Sequence, residues 1–101
     1  MLTYTVNDLN THIKRLFDYE HSLKNIKVRG EVSNLSISSA GHVYFTLKDE
    51  FAAVRCVFFG KGNSISFKNS DNVIITGNVT LYIKGGDFQL NVSGVEYAGI
   101  G

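Results

Sequence analysis

The hydrophobic period of this chain changes once, near residue 25. Before that point apolar residues recur every three or four positions. After it they alternate with polar ones. A period near 3.6 lays an apolar stripe along a helix, and a period of 2 lays an apolar face along a strand. The chain therefore reads as one helix followed by a β-domain. Its 101 residues are the size of a single domain with one modest core. With 44% apolar residues there is enough hydrophobic material to form that core.

The helical segment is expected over about residues 5–20. Thr5 is placed to cap it, with Asp8 three residues on completing a capping box. Val6, Leu9, Ile13, Leu16 and Phe17 form the stripe, which is expected to pack across one end or side of the domain. Asn10, Lys14 and Asp18 lie opposite.

The barrel is expected over about residues 26–97, as five strands. Ile26, Val28, Gly30 and Val32 lead the first, and Val43, Phe45 and Leu47 the second. Val54, Cys56 and Phe58 follow, then Val73 to Leu81, then Phe88, Leu90 and Val92. Ser38–Gly41 and Asp49–Ala52 join the early strands. Gly85-Gly86 reads as a two-residue hairpin. The long link from Gly60 to Asn72 has room for a helical turn around Ser64 to Phe67. Five strands with a long interruption after the third give the fold class: mainly β, a five-stranded Greek-key OB-fold barrel preceded by an N-terminal α-helix. Gly30 and Gly77 sit mid-strand, where a small barrel needs sharp coiling.

If Val43, Phe45 and Leu47 point inward, the outer face of the first three strands shows Arg29, His42, Tyr44, Thr46, Lys48, Arg55, Val57 and Phe59. Cations beside rings suit a single nucleic-acid strand, because the cations neutralise phosphates while bases stack on the rings. Lys84 stands at the tip of the last hairpin, and such loops flank the OB-fold cleft. Asn34, Ser36, Ser38 and Ser39 are read as a polar loop after the first strand. The candidate nucleic-acid contacts are Arg29, His42, Tyr44, Lys48, Arg55, Phe59 and Lys84. The formal net charge of +1 requires any basic surface to be gathered on one face.

Other chemistries find little footing. Gly60-Lys61-Gly62-Asn63-Ser64 lacks the spacing of a Walker loop. His12, His21 and His42 have no metal-ligand spacing with one another or with Cys56. Cys56 reads as a small core residue, and Asp49-Glu50 as a solvated turn. No catalytic set is visible, and no metal, cofactor or small-molecule substrate is expected. One cysteine allows no internal disulfide. No signal peptide or membrane span is apparent, so a cytoplasmic location is expected.

Val28-Arg29-Gly30-Glu31-Val32-Ser33-Asn34, Gly41 to Asp49 (GHVYFTLKD) and Ala53 to Phe59 (AVRCVFF) together resemble the N-terminal domain of the large subunit of bacterial exodeoxyribonuclease VII. Tyr4 to Asn10, the Ile13-Lys14 step, Gly86 to Leu90 and the closing Val95 to Gly101 resemble that family's leading helix, last strand and exit. The resemblance spans essentially the whole chain, as a single OB-fold nucleic-acid-binding domain over residues 1–101. It implies an exonuclease that degrades single-stranded DNA to short oligonucleotides and acts with copies of a small subunit. Its front domain is implied to grip the DNA, and its nuclease core to lie further along a longer chain. This segment alone is then expected to be non-catalytic. The link from Gly60 to Asn72 departs from a strongly basic pattern, with only Lys61 and Lys68. The fold argument alone equally allows an anticodon-type OB domain that reads RNA. It also allows a protein-docking module anchored by Tyr44 and Phe59.

Overall fold

A computed structural model describes residues 1–98; the closing Gly99, Ile100 and Gly101 lie outside the described residues. Helix α1 (Val6–Tyr19) is followed by a single 3-10 turn (His21–Leu23) and five strands: β1 (Ile26–Ile37), β2 (Val43–Lys48), β3 (Ala53–Phe58), β4 (Asn72–Tyr82) and β5 (Asp87–Tyr97). They close into a barrel in the order β1-β2-β3-β5-β4. All pairings are antiparallel except β3 with β5, which run parallel and seal the barrel.

The capping box forms as expected. Thr5 Oγ1 accepts from the Asp8 N–H at 3.0 Å, and Asp8 Oδ2 accepts from the Thr5 N–H at 3.4 Å. These bonds satisfy donors that the first helical turn leaves free.

Inside the barrel, Val32, Val43, Phe45, Leu47, Cys56, Val73, Ile75 and Leu90 are all buried. Burial pushes the Cys56 thiol pKa up to about 12, so it is a core residue rather than a nucleophile. The sharp coiling has a steric cause at two positions. A Cβ at Gly30 would stand 2.7 Å from Leu47 Cγ, and one at Gly77 would stand 2.4 Å from the Asn91 carbonyl oxygen.

Five sequence expectations need correction. Only part of the α1 stripe faces the barrel: Val6, Leu9 and Leu16 are 76%, 44% and 57% exposed, while Ile13 and Phe17 are half-buried and Phe17 meets Phe88 edge-on with ring centroids 6.4 Å apart. The polar side docks beside Phe17. Asn10 Nδ2 donates to the Ile83 carbonyl at 2.9 Å, and Thr80 Oγ1 donates to Asp18 Oδ1 at 2.9 Å. The barrel has filled its own interior, and what β4 and its following turn offer the helix is a carbonyl and a hydroxyl.

The expected helical turn around Ser64 to Phe67 is absent. That stretch runs without helix and drives Phe67 into the core, edge-on to Phe45 with ring centroids 5.2 Å apart. Burying one ring satisfies the hydrophobic demand that a helix would have met. The chain then returns to β1, where Val32 bonds to both Ser70 and Asp71 through backbone groups.

Asn34 and Ser36 belong to β1 rather than to a loop. A register shift between Ser33 and Ser36 places Asn34 at φ 53°, a left-handed conformation that Asn tolerates. The β4–β5 link is a four-residue turn, Ile83 to Gly86, rather than a two-residue one, because Gly86 N–H bonds back to the Tyr82 carbonyl at 2.8 Å. Val57, assigned by alternation to the open outer face, lies on that wall but is only 2% exposed.

Candidate nucleic-acid interface

Tyr44 and Val57 are register partners across β2 and β3, and Thr46 pairs with Arg55 one step along. The parallel seam adds Gln89 beside Arg55. Tyr44, Arg55, Val57 and Gln89, together with Phe59, just past the end of β3, and Tyr82, at the end of β4, line a cavity of about 320 Å³ on the outer wall. Val57 and Gln89 form its floor; Gln89 is 7% exposed and donates from Nε2 to Asn91 Oδ1 at 2.8 Å. Arg55, Phe59 and Tyr82 are exposed around it, with Tyr44 half-buried.

His42 lies just before β2 and serves Phe59. Its Nδ1 accepts from the Gly60 N–H at 2.9 Å, and its ring meets Phe59 edge-on at 5.1 Å. The Nδ1 lone pair is thus used to fix the chain beyond β3, which sets where the Phe59 ring stands.

Arg29 and Lys48 are elsewhere. They border a separate depression of about 590 Å³ that also contains Glu31, Asp49 and Glu50. Lys48 Nζ is 3.9 Å from Glu31. The Phe51 and Ala52 N–H groups hold the Asp49 carboxyl below its ordinary pKa. It is therefore a firmly anionic turn residue. The two cations are matched by three carboxylates, which weakens their pull on phosphate. Lys84 is exposed in the turn after Tyr82.

Of the seven sequence candidates, Tyr44, Arg55 and Phe59 share one cavity, with His42 behind Phe59. Tyr82 and Gln89 were not singled out from the sequence. Alternation with the inward Leu81 would have pointed Tyr82 outward. Alternation with Leu90 likewise points Gln89 outward, but its place beside Arg55 depends on the β3–β5 seam. Among the described residues, no three His, Cys, Asp or Glu side chains cluster as metal ligands, and no helix is long and apolar enough to cross a membrane.

The model of the OB-fold nucleic-acid-binding domain matches residues 4–96. The chain belongs to this OB-fold family. OB-folds bind oligonucleotides on the face of strands 2 and 3, between the first and last hairpin loops. The cavity of Tyr44, Arg55 and Phe59 occupies that position. Among curated relatives, the exodeoxyribonuclease 7 large subunit of Clostridium novyi is 39% identical over 104 residues, covering 100% of this chain and 26% of the relative. That of Caldanaerobacter subterraneus is 46% identical over 101 residues, covering 97% and 25%. The resemblance to this large subunit thus holds along the whole OB-fold chain, which spans about a quarter of the length of these relatives. Among solved structures, the second OB-fold domain of replication protein A from Methanococcus maripaludis gives a TM-score of 0.60 at 14% identity, covering 82% of this chain and 96% of that one. A replication protein A heterotrimer bound to single-stranded DNA gives 0.64 at 13% identity, covering 77% and 60%. At these identities the structural matches speak for the OB-fold alone.

Proposed function

We propose that this domain binds single-stranded DNA along the outer face of β2 and β3. It would act as the DNA-gripping part of a longer large subunit whose nuclease chemistry lies outside this segment. The observation that carries the reading is the ring of Tyr44, Phe59 and Tyr82 around Arg55, over the closed floor of Val57 and Gln89. Rings accept the faces of unstacked bases, and a guanidinium serves both phosphate and stacked base. A duplex hides its base faces and cannot use this cavity. Lys84, exposed in the adjoining turn, takes a flanking phosphate. The proposal extends to a cytoplasmic setting and to the relatives' working unit, in which a small subunit joins the large one.

A fluorescent single-stranded DNA oligomer titrated with the domain at low and moderate salt tests this, with a duplex and an RNA of matched sequence alongside. Salt-sensitive binding that favours the DNA single strand is the expected result. Preference for the RNA would replace this reading with an anticodon-type role. Absence of binding at low salt would replace it with protein docking.

A further inference from the structure

Gln89 is the only polar residue buried among the described residues, at 7% exposed. An amide carries two N–H donors and a carbonyl oxygen that accepts. One donor goes to Asn91 Oδ1 at 2.8 Å, which commits the nitrogen end of the amide. Among the described residues no group donates to Gln89 Oε1, yet no enclosed side-chain nitrogen or oxygen is left without a partner. Oε1 therefore keeps an opening, and the cavity that Gln89 lines is where it opens. A polar group buried this far is costly unless a hydrogen bond meets it. A wall that served stacking alone would carry an apolar side chain here, as it does at Val57.

Arg55 stands beside it as its register partner on β3 and lines the same cavity. The wall thus offers an acceptor, Oε1, next to the parallel donors of a guanidinium fork. Cytosine presents the complement along one edge: an amino group that donates, then a ring nitrogen and a carbonyl oxygen that accept. Thymine presents a carbonyl oxygen where Oε1 needs a donor, and an N–H where the guanidinium needs an acceptor. Adenine has the amino group and the ring nitrogen but no carbonyl oxygen beyond them. In a single strand these edges are free to be read while rings hold the base by its faces.

We propose that this cavity takes one cytosine base, with Gln89 Oε1 accepting from its amino group and Arg55 donating to its ring nitrogen and carbonyl oxygen. The inference rests on the single-stranded DNA reading above and adds that the groove selects among bases. Tyr44, Phe59 and Tyr82 hold any base by its face. Gln89 and Arg55 determine which base is preferred.

Competition between strands of about 12 nucleotides, a length that one OB-fold covers, tests this. The strands are all-deoxycytidine, all-deoxythymidine and all-deoxyuridine, at neutral pH and fixed salt. The cytidine strand should bind about three- to tenfold more tightly than the thymidine strand, the range that one hydrogen bond supplies. The uridine strand lacks the thymine methyl group but keeps its carbonyl edge, so it should bind as weakly as the thymidine strand. Gln89→Met keeps the length of the side chain without the acceptor, and the ratio of cytidine to thymidine affinity should fall toward one. Circular dichroism checks that this variant folds. Arg55→Lys, at an exposed position, keeps the charge without the fork and should also lower the ratio. Salt-sensitive binding of all three strands with equal affinity would overturn this inference and leave the single-strand reading standing, whereas no binding of any strand at low salt would overturn both. A preference for thymidine, uridine binding as tightly as cytidine, or a ratio unchanged in both variants would each overturn the base assignment.

Discussion

Arg55 and Gln89 are register partners across the parallel seam between β3 and β5, so the floor and rim of the candidate groove come from strands 34 residues apart in the chain. This pairing sets a buried amide beside an exposed guanidinium, with aromatic rings on either side. The binding predictions rest on that arrangement.

Removing a ring removes a stacking platform. Tyr44→Ala and Tyr82→Ala should each weaken single-stranded DNA binding by about 1–3 kcal/mol. Fluorescence anisotropy at fixed salt checks this, and equal affinity in both variants and the parent would sink the groove assignment. Lys84→Ala should act differently, weakening binding to all sequences alike and lowering the salt slope by about 1.

Arg29 and Lys48 share their depression with Glu31, Asp49 and Glu50. Substituting either with Ala should cost less affinity than losing Tyr82. Replacing Glu31 with Gln should tighten binding at low salt, because it frees Lys48 from its partner. Isotherms at two salt concentrations decide the order, and a larger loss at Arg29 than at Tyr82 would move the centre of the site toward β1.

A methyl group at residue 77 has nowhere to go, since it would lie 2.4 Å from a backbone oxygen of the facing strand. Gly77→Ala should destabilise the domain by about 1–3 kcal/mol through overpacking. Urea denaturation should show a lower midpoint with an unchanged slope. An unchanged midpoint would mean that β5 yields more easily than its packing indicates.

Asp18 ties the helix to the barrel. The hydrogen bond from Lys14 holds its carboxyl below the ordinary value of 3.8, with help from Thr80 and the charge of Lys24, against the opposing effect of partial burial. A carboxylate with a depressed folded-state pKa stabilises fully above its unfolded value and loses that contribution as pH falls through the folded one. Asp18→Asn should therefore be less stable than the parent at neutral pH. The gap should close only on the acid side of pH 3.8. Thermal melts of both proteins along a pH series measure it, and a gap independent of pH would show that charge plays no part.

The helix and the five strands were readable because hydrophobic period is a local property, and each segment carries its own. What escaped depends on neighbours distant in the chain. Alternation correctly set Arg55 and Phe59 outward, but it could not show that Val57 between them would be covered. Alternation with Leu90 sets Gln89 outward too, but not beside Arg55, since that depends on a parallel pairing no turn announces. The stripe on α1 was visible as a stripe; which side faced the barrel was decided by Thr80, the Ile83 carbonyl and the Phe88 ring. Phe67 entered the core from a stretch rich in Ser and Asn, where a helix was expected and a single buried ring was enough.

The β3–β5 seam also governs the order in which the molecule can assemble. Its partners, Arg55 to Val57 with Gln89 to Asn91, belong to the high-contact-order part of the fold, which is slow to find. On the ribosome β1 to β4 emerge while β3 still presents a free, unpaired edge, and that edge is the surface on which two nascent chains would join wrongly. Closure waits until β5 is synthesised, and from then on the barrel has no edge left to offer.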